Sequence, residues 1–477
     1  MANSLILVTG VSGYVGGRLV HALGDRAIRC MARTPDAVRG NLPAHAELVQ
    51  GDVLDPASLD RALAGVDVAY YLIHSLTAGA AFEEQDRIGA SNFAAAAKRA
   101  GVRRIIYLGG LGEPATGLSS HLRSRQDTGA ALRAGGVPVI EFRAAAVIGS
   151  GSLSFELVRA LVERLPVMIC PRWVSTLTQP IGIDSVLAYL VAGAYIDSAG
   201  AIFEIGGRDV CSYGDIMREY AKQRGLERHL ISVPFLTPRL SSLWLALVTP
   251  VYARVGRPLI EGMRNPTIVR DKSALERFDV RPMTLQEMVA RALEREDEET
   301  AAPAWMDAVS SSAHDGWGGA RFGSRLVETH VAHTSADPVA AFAPIARIGG
   351  RTGWYYANAL WKVRGIVDQI VGGPGLRRGR GNAGTIRVGD YLDWWRVEAY
   401  EPGHSLRLRA EMRLPGRAWL QFDVTPEGDG SRIQQTAIFD PVGIAGLLYW
   451  YTLYPVHRLI FAGMLREVVR NGESVLG

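Results

Sequence analysis

Residues 5–16 read Leu-Ile-Leu-Val-Thr-Gly-Val-Ser-Gly-Tyr-Val-Gly. Leu5–Val8 is an uninterrupted apolar run, the pattern of a short strand buried on both faces. Gly10, Gly13 and Gly16 follow, and Val15 to Leu23 has the pattern of a helix. In that strand–turn–helix setting each glycine has its own task. Gly10 permits the tight turn, Gly13 lets backbone N–H groups approach a pyrophosphate at the helix N-terminus, and Gly16 lets the helix pack close on the strand. Gly10, Ser12, Gly13, Tyr14, Val15 and Gly16 are therefore candidate contacts of a dinucleotide. The spacing is G-x-x-G-x-x-G, not the commoner G-x-G-x-x-G.

Outward from this turn, Ala27–Ala32, Glu47–Gln50, Val66–Ile73, Val102–Leu108 and Val137–Phe142 read as strands. Between them Ser58–Ala64, Ser91–Ala100 and Asp127–Ala134 read as helices. The alternation predicts an α/β fold with a doubly wound parallel sheet. The second strand ends Cys30-Met31-Ala32-Arg33. An NAD site places Asp or Glu at such a strand end, about 20 residues beyond the glycine turn. None stands here, and Arg33 suits a 2′-phosphate, so NADP is favoured over NAD. Asp52 and Val53 follow the third strand, where a carboxylate can accept from an adenine amino group. The same Asp52 would serve equally as the acid of a helix N-terminus.

Beyond Gly149 the pattern is mixed. Asp184–Ala194 and Ser212–Gln223 read as helices and Ala201–Ile205 as a strand, which would complete the sheet and add a small substrate lobe. Glu294–Ala320 is charged and then Gly/Ser-rich, the composition of a linker. Of 10 tryptophans, Trp173 and Trp244 precede it and the rest lie between Trp305 and Trp450. From Arg325 the period changes to two. Leu326–Val331, Tyr391–Ala399, Ser405–Met412, Ala418–Val424 and Arg432–Phe439 read as strands, Ser335–Pro338 as a helix start, and Gly446 to Arg470 as a long helix. An α+β domain results, with an antiparallel sheet gripping a C-terminal helix. The expected division is 1–295, a linker at 296–324, and 325–477.

The whole chain has 477 residues, 48% hydrophobic and 21% charged, which excludes disordered and collagen-like classes. A net charge of +4 gives no reason to expect nucleic acid as a partner. The 3 cysteines, Cys30, Cys170 and Cys211, are scattered and form neither a metal-ligand spacing nor a disulfide framework, which points to a reducing, cytoplasmic compartment. The N-terminus has no signal-peptide pattern. The apolar stretches Leu240–Ala253 and Pro441–Val456 fall short of the ~20 residues of a membrane-spanning helix. They read as core helices, with peripheral contact to a membrane left open.

On Thr9-Gly10-x-x-Gly13-x-x-Gly16, Gly51-Asp52-Val53 and Phe203-Glu204-Ile205-Gly206-Gly207, residues 4 to about 295 resemble the extended and atypical short-chain dehydrogenase/reductase superfamily, near the NmrA-like and complex I accessory-subunit groups. The resemblance implies a Rossmann sheet with a C-terminal substrate lobe. It also implies that Leu72, Ile73 and His74 line the cofactor cleft. The superfamily's reductases use Tyr-x-x-x-Lys. Here the only lysines are Lys98, Lys222, Lys272 and Lys362, and none has a tyrosine four residues before it. The equivalent place reads His121-Leu122-Arg123-Ser124-Arg125, and Gly109-Gly110 replaces the usual serine after the fifth strand. His121 and Arg125, one helical turn apart, are the candidate catalytic pair, and no metal is expected.

Residues 325 to 477 resemble the START/polyketide-cyclase helix-grip superfamily on Val388–Trp395, Leu414–Leu420 and Asp440-Pro441-x-Gly443. That resemblance implies an apolar cavity between sheet and helix, which Trp354, Trp361, Trp395, Trp419 and Trp450 would line or fill. His457 on the last helix reads first as a satisfied core or surface histidine and second as a polar handle of that cavity. The expected function is an NAD(P)H-dependent oxidoreductase acting on a bulky apolar, quinone- or lipid-like substrate. The rivals are a non-catalytic NADPH-binding sensor or assembly factor with an apolar small molecule or lipid in its C-terminal domain, and a lipid-binding protein whose Rossmann part is structural.

Overall fold

The computed structural model describes residues 4–39, 42–73, 82–113, 117–233, 262–299, 320–322, 325–350, 352–370 and 386–473. The chain divides into two units, Met1–Glu296 and Asp297–Gly477.

In the first unit seven short apolar runs form one sheet. They are β1 (Ile6–Thr9), β2 (Ile28–Ala32), β3 (Glu47–Gln50), β4 (Val68–Tyr71), β5 (Arg104–Gly110), β6 (Val139–Ala144) and β7 (Ala201–Ile205). All pairs are parallel, in the order β3-β2-β1-β4-β5-β6-β7. The order reverses between β1 and β4, which opens a crevice at the carboxyl ends of those strands. Successive residues feed opposite cores, as a period of two demands. Val8, Ile106 and Phe142 pack with Leu19 and Val20 of α1 (Tyr14–Ala22) and Val186 and Leu190 of α6 (Ile183–Gly193). Leu7, Ile105 and Val139 pack with Leu59 of α2 (Pro56–Leu63), Phe93 of α3 (Phe82–Arg99) and Leu132 of α4 (Ser120–Ala134). A separate apolar cluster joins α5 (Leu153–Arg164), α7 (Tyr213–Gln223) and α8 (Leu285–Glu299) into a lobe.

Several elements differ in extent from their sequence patterns. The first half of α3 is polar and carries no apolar stripe, yet it is helical. Its Asp86 is buried, and the Ser124 hydroxyl of α4 donates to it at 3.2 Å. Helix α4 starts at Ser120, because the Ser119 side chain accepts from the Leu122 N–H. The acidic run to Glu299, expected in the linker, is the end of α8. Buried Met288, Val289 and Ala292 hold that helix, and its Arg295 pairs with Asp184 at 2.6 Å. Ala320–Phe322, also placed in the linker, is an edge strand of the second unit.

The second unit is a seven-stranded antiparallel sheet. Its long strands are β8 (Arg325–Thr334), β9 (Trp395–Glu401), β10 (Ser405–Ala410), β11 (Gly416–Glu427) and β12 (Gly430–Pro441), in the order β8-β12-β11-β10-β9. Ala320–Phe322 and Tyr391–Leu392 close its two edges. Helix α9 (Asn358–Ile370) and the long α10 (Gly443–Glu473) complete the unit, and α10 packs on β8 and β12. The run Tyr391–Ala399, expected as one strand, is broken at Asp393. That residue takes a left-handed φ of 60° and accepts from the Trp354 indole N–H at 2.9 Å. Among the described residues no helix is long and apolar enough to cross a membrane. Leu240–Ala253 lies outside them. Pro441–Val456 leads into α10, where Trp450 and Tyr454 pack on Leu326 and Phe439.

Candidate functional site

The glycine turn sits at the crevice. Gly10 has φ +71°, and a Cβ there would lie 2.5 Å from the Leu72 carbonyl oxygen. A Cβ on Gly16 would lie 2.2 Å from the Gly10 carbonyl oxygen. Both glycines are therefore imposed by packing, and Gly16 is buried beneath the turn, outside the cleft. Gly13 differs. It is exposed, its N–H closes the turn on Gly10 O at 2.9 Å, and it is the N-cap of α1 with no side-chain cap. The first amides of α1 thus have no side-chain cap beside the cleft, the arrangement that binds a phosphate. Thr9 ties the crevice walls together. Its hydroxyl donates to Tyr70 O at 2.9 Å and accepts from the Leu72 N–H at 3.2 Å.

Gly10, Ser12, Gly13, Arg33, Asp52, Val53 and Ile73 line one cleft of about 320 Å³, with Met31, Tyr71 and Asp86 among its other walls. His74 lies outside the described residues. Arg33 is exposed at the end of β2, and among the described residues no carboxylate pairs with it. Asp52 accepts from the Leu54 N–H at 2.9 Å, which fixes its carboxylate in a turn of its own. It is not a helix cap, since Asp55 holds that place on α2 and accepts from Ala57.

Tyr14, Val15, His121 and Arg125 line a second cavity, of about 280 Å³. It adjoins the first through consecutive residues, Gly13 in one and Tyr14 in the other. Its walls include Gly109-Gly110 at the end of β5 and the stretch Ala144–Val147 that begins at the end of β6. A Cβ on Gly110 would lie 3.3 Å from Arg125 Cδ, so the glycine makes room for the arginine stem. The guanidinium donates to Leu108 O, and the Tyr107 hydroxyl donates to Arg125 O at 2.8 Å. Beneath Gly109, the buried Glu141 pairs with Arg143 at 2.7 Å and with Arg133. Tyr213, Ser154 and Thr267 also line this cavity, and the sequence patterns did not single them out. Burial pushes the Tyr213 phenol up to about 12, against a smaller opposing effect of Thr178. Among the described residues no cluster of His, Cys, Asp and Glu could hold a metal ion. The three cysteines are unpaired and buried.

The second unit has a cavity of about 390 Å³ between α9, α10 and the sheet. Trp361, Trp395, Trp419, Trp450 and His457 are among its walls. Trp354 is instead packed in the core, bonded to Asp393.

Residues 10–136 match a family described as NAD(P)H-binding, and residues 323–464 match DUF2867, a family of proteins of unknown function. Over 173 residues the chain is 34% identical to a (4-alkanoyl-5-oxo-2,5-dihydrofuran-3-yl)methyl phosphate reductase of Streptomyces griseus, a match covering 34% of this chain and 57% of that enzyme. Over 244 residues it is 28% identical to a ceramide reductase of Caulobacter vibrioides, covering 49% of this chain and 74% of that enzyme. The chain thus spans little more than half the length of the first of these relatives. A triphenylmethane reductase of Citrobacter sp., solved with NADP(H), aligns at 17% identity over 61% of this chain and 99% of its own, with a TM-score of 0.49. In the first unit the match to the NAD(P)H-binding family thus falls on the parallel Rossmann-type sheet and the glycine turn.

Proposed function

We propose that this NAD(P)H-binding protein is an NADPH-dependent reductase of a bulky apolar carbonyl or quinone. One observation carries the reading: the two clefts meet at the glycine turn, and the second holds His121 and Arg125 together against apolar walls. The uncapped first turn of α1 and Ser12 would hold the pyrophosphate, Asp52 the adenine, and Arg33 the 2′-phosphate. Bound NADPH supplies the hydride. His121 holds the proton that a carbonyl oxygen must receive, and Arg125, charged at every working pH, favours the developing negative charge on that oxygen. Leu108, Leu111, Leu122 and Met263 exclude water and select an apolar substrate.

In the second unit we read the cavity between α9, α10 and the sheet as a separate apolar-ligand site of helix-grip type. The test of the reductase is NADPH oxidation followed at 340 nm across quinones, aldehydes and ketones, with NADPH affinity measured alongside. His121→Ala should lower kcat by ~10²–10⁴ and leave NADPH affinity unchanged. An unchanged rate in the variant would dismiss His121. NADPH binding with no reduction of any of these substrates would favour a sensor, the role that the absence of Tyr-x-x-x-Lys allows.

A further inference from the structure

The cavity of the second unit is almost entirely apolar, and its few polar groups are unevenly placed. Among its lining residues Arg364 and His457 alone can carry charge, and no Asp or Glu is present. Arg364 is half-buried on α9. Its guanidinium donates to the Tyr449 hydroxyl at a long 3.5 Å, and among the described residues no carboxylate pairs with it. His457 stands on α10 between Trp450 and Phe461, with ring centroids at 5.9 and 5.7 Å. Its Nδ1 is buried without a hydrogen-bond partner among the described residues. Burial, and then the Arg364 charge, hold its pKa down to about 4, so the imidazole is neutral near pH 7. The indole N–H groups of Trp361 and Trp395, two further walls, are also buried without partners among the described residues. The cavity therefore presents one cation beside several donors, with no acid among its walls. That cation lies over the Tyr449 ring at 5.9 Å, and the buried Asp368, one turn along α9, accepts from the Arg413 N–H at 2.8 Å.

The mouth fits the same account. Leu360, Val363, Val367 and Val456 line the cavity and are also exposed to solvent, so the opening is rimmed with apolar side chains. A volume of about 390 Å³ lies within the ~300–1,000 Å³ of ordinary ligand pockets.

We propose that this cavity binds an amphiphile with one anionic head, a carboxylate or a phosphate monoester on a long alkyl or acyl chain, with the head on Arg364 and Tyr449 and the chain among Trp361, Trp395, Trp450 and Phe461. The proposal rests on the apolar-ligand reading of the second unit and adds the charge of the ligand to it.

The test is calorimetric titration of the full chain with dodecanoate, dodecyl phosphate and dodecanol, each below its micelle concentration. Dodecanoate or dodecyl phosphate should bind at least tenfold more tightly than dodecanol, about 1.4 kcal/mol. Whichever of the two binds more tightly identifies the head. Arg364→Met should erase the preference, and Arg364→Lys should retain most of it. Ala418→Phe, which fills the cavity, should abolish binding of all three, with circular dichroism and thermal unfolding confirming that each variant is folded. Equal binding of dodecanol and dodecanoate, both lost in Ala418→Phe, would overturn the anionic head and leave the apolar site standing. Dodecanoate binding untouched by both Arg364→Met and Ala418→Phe would place the ligand elsewhere and overturn the proposal. No binding of any probe would overturn the apolar-ligand reading itself.

Discussion

Arg33 is the residue whose removal tests the cofactor assignment most directly. It is exposed, it lines the first cleft, and among the described residues it has no ion pair to lose. Arg33→Ala should therefore change folding stability by less than about 0.5 kcal/mol, as for other surface substitutions. Its effect should appear in binding alone. A hydrogen bond to a charged group contributes about 1.5–3 kcal/mol, and the exposure of Arg33 places its contact at the low end. The expected loss is then about 1.5 kcal/mol, a little over tenfold in the Kd for NADPH. NADH has no 2′-phosphate, so its affinity should move by less than twofold. Paired titrations of parent and variant, followed by nicotinamide fluorescence, would read all four constants. Repeating them at 1 M salt should shrink the NADPH preference, because the Debye length falls to about 3 Å and the contact faces solvent. Equal affinities of the parent for NADPH and NADH would refute the reasoning, as would an Arg33→Ala variant that loses NADH and NADPH together.

Three further outcomes follow from the geometry. Gly13→Val places a Cβ 3.1 Å from the Gly10 carbonyl oxygen on an exposed turn, so the protein should stay folded by circular dichroism while NADPH affinity falls at least 100-fold, on the order of 2.7 kcal/mol. Glu141→Gln leaves the half-buried Arg133 and Arg143 without their shared carboxylate, and denaturant unfolding should show a loss of about 3–5 kcal/mol. The pKa of His457 is lowered from 6.5 to about 4, so the native state binds fewer protons than the unfolded chain; its stabilising effect is complete above pH 6.5 and is lost as pH falls toward 4. The difference between parent and His457→Gln in unfolding free energy should change by at most about 3 kcal/mol across that window, and a pH-independent difference would contradict the buried, neutral imidazole.

What was legible in the sequence was local. Leu5–Val8 followed by three spaced glycines announces a strand, a turn and a helix within one short segment. Arg33 could be placed because a strand end lies a fixed distance beyond that turn. By contrast α2, read from Ser58 by its pattern, begins at Pro56, where Asp55 caps it. The features that were not legible depend on partners far away in the chain. Thr9 reads as an ordinary strand residue, and only the fold shows its hydroxyl bridging Tyr70 and Leu72. The polar first half of α3 has no apolar period, and Ser124 accounts for the burial of Asp86 only after α3 and α4 have packed. Asp393 breaks an otherwise regular alternating strand because Trp354, 39 residues earlier, donates to it. Arg364 and His457 lie on different helices, and no spacing rule connects them.

The pairing of Gly110 with Arg125 bears on which group supplies the proton. A serine after β5 would point a hydroxyl into the second cavity. Glycine there instead lets the Arg125 stem cross the strand end, with its guanidinium fixed on the Leu108 carbonyl. Arginine cannot donate a proton at any working pH, so it can stabilise charge but cannot be the acid. Tyr213 also lines the cavity, but burial raises its phenol to about 12, which makes the phenolate a poor product of proton transfer near neutrality. His121 differs from both. It lies in the first turn of α4, half-buried in the same cavity, and an imidazole can both carry and release a proton. On the proposed reading, His121 and Arg125 divide what the Tyr-x-x-x-Lys pair does elsewhere, the guanidinium holding charge and the imidazole giving up the proton.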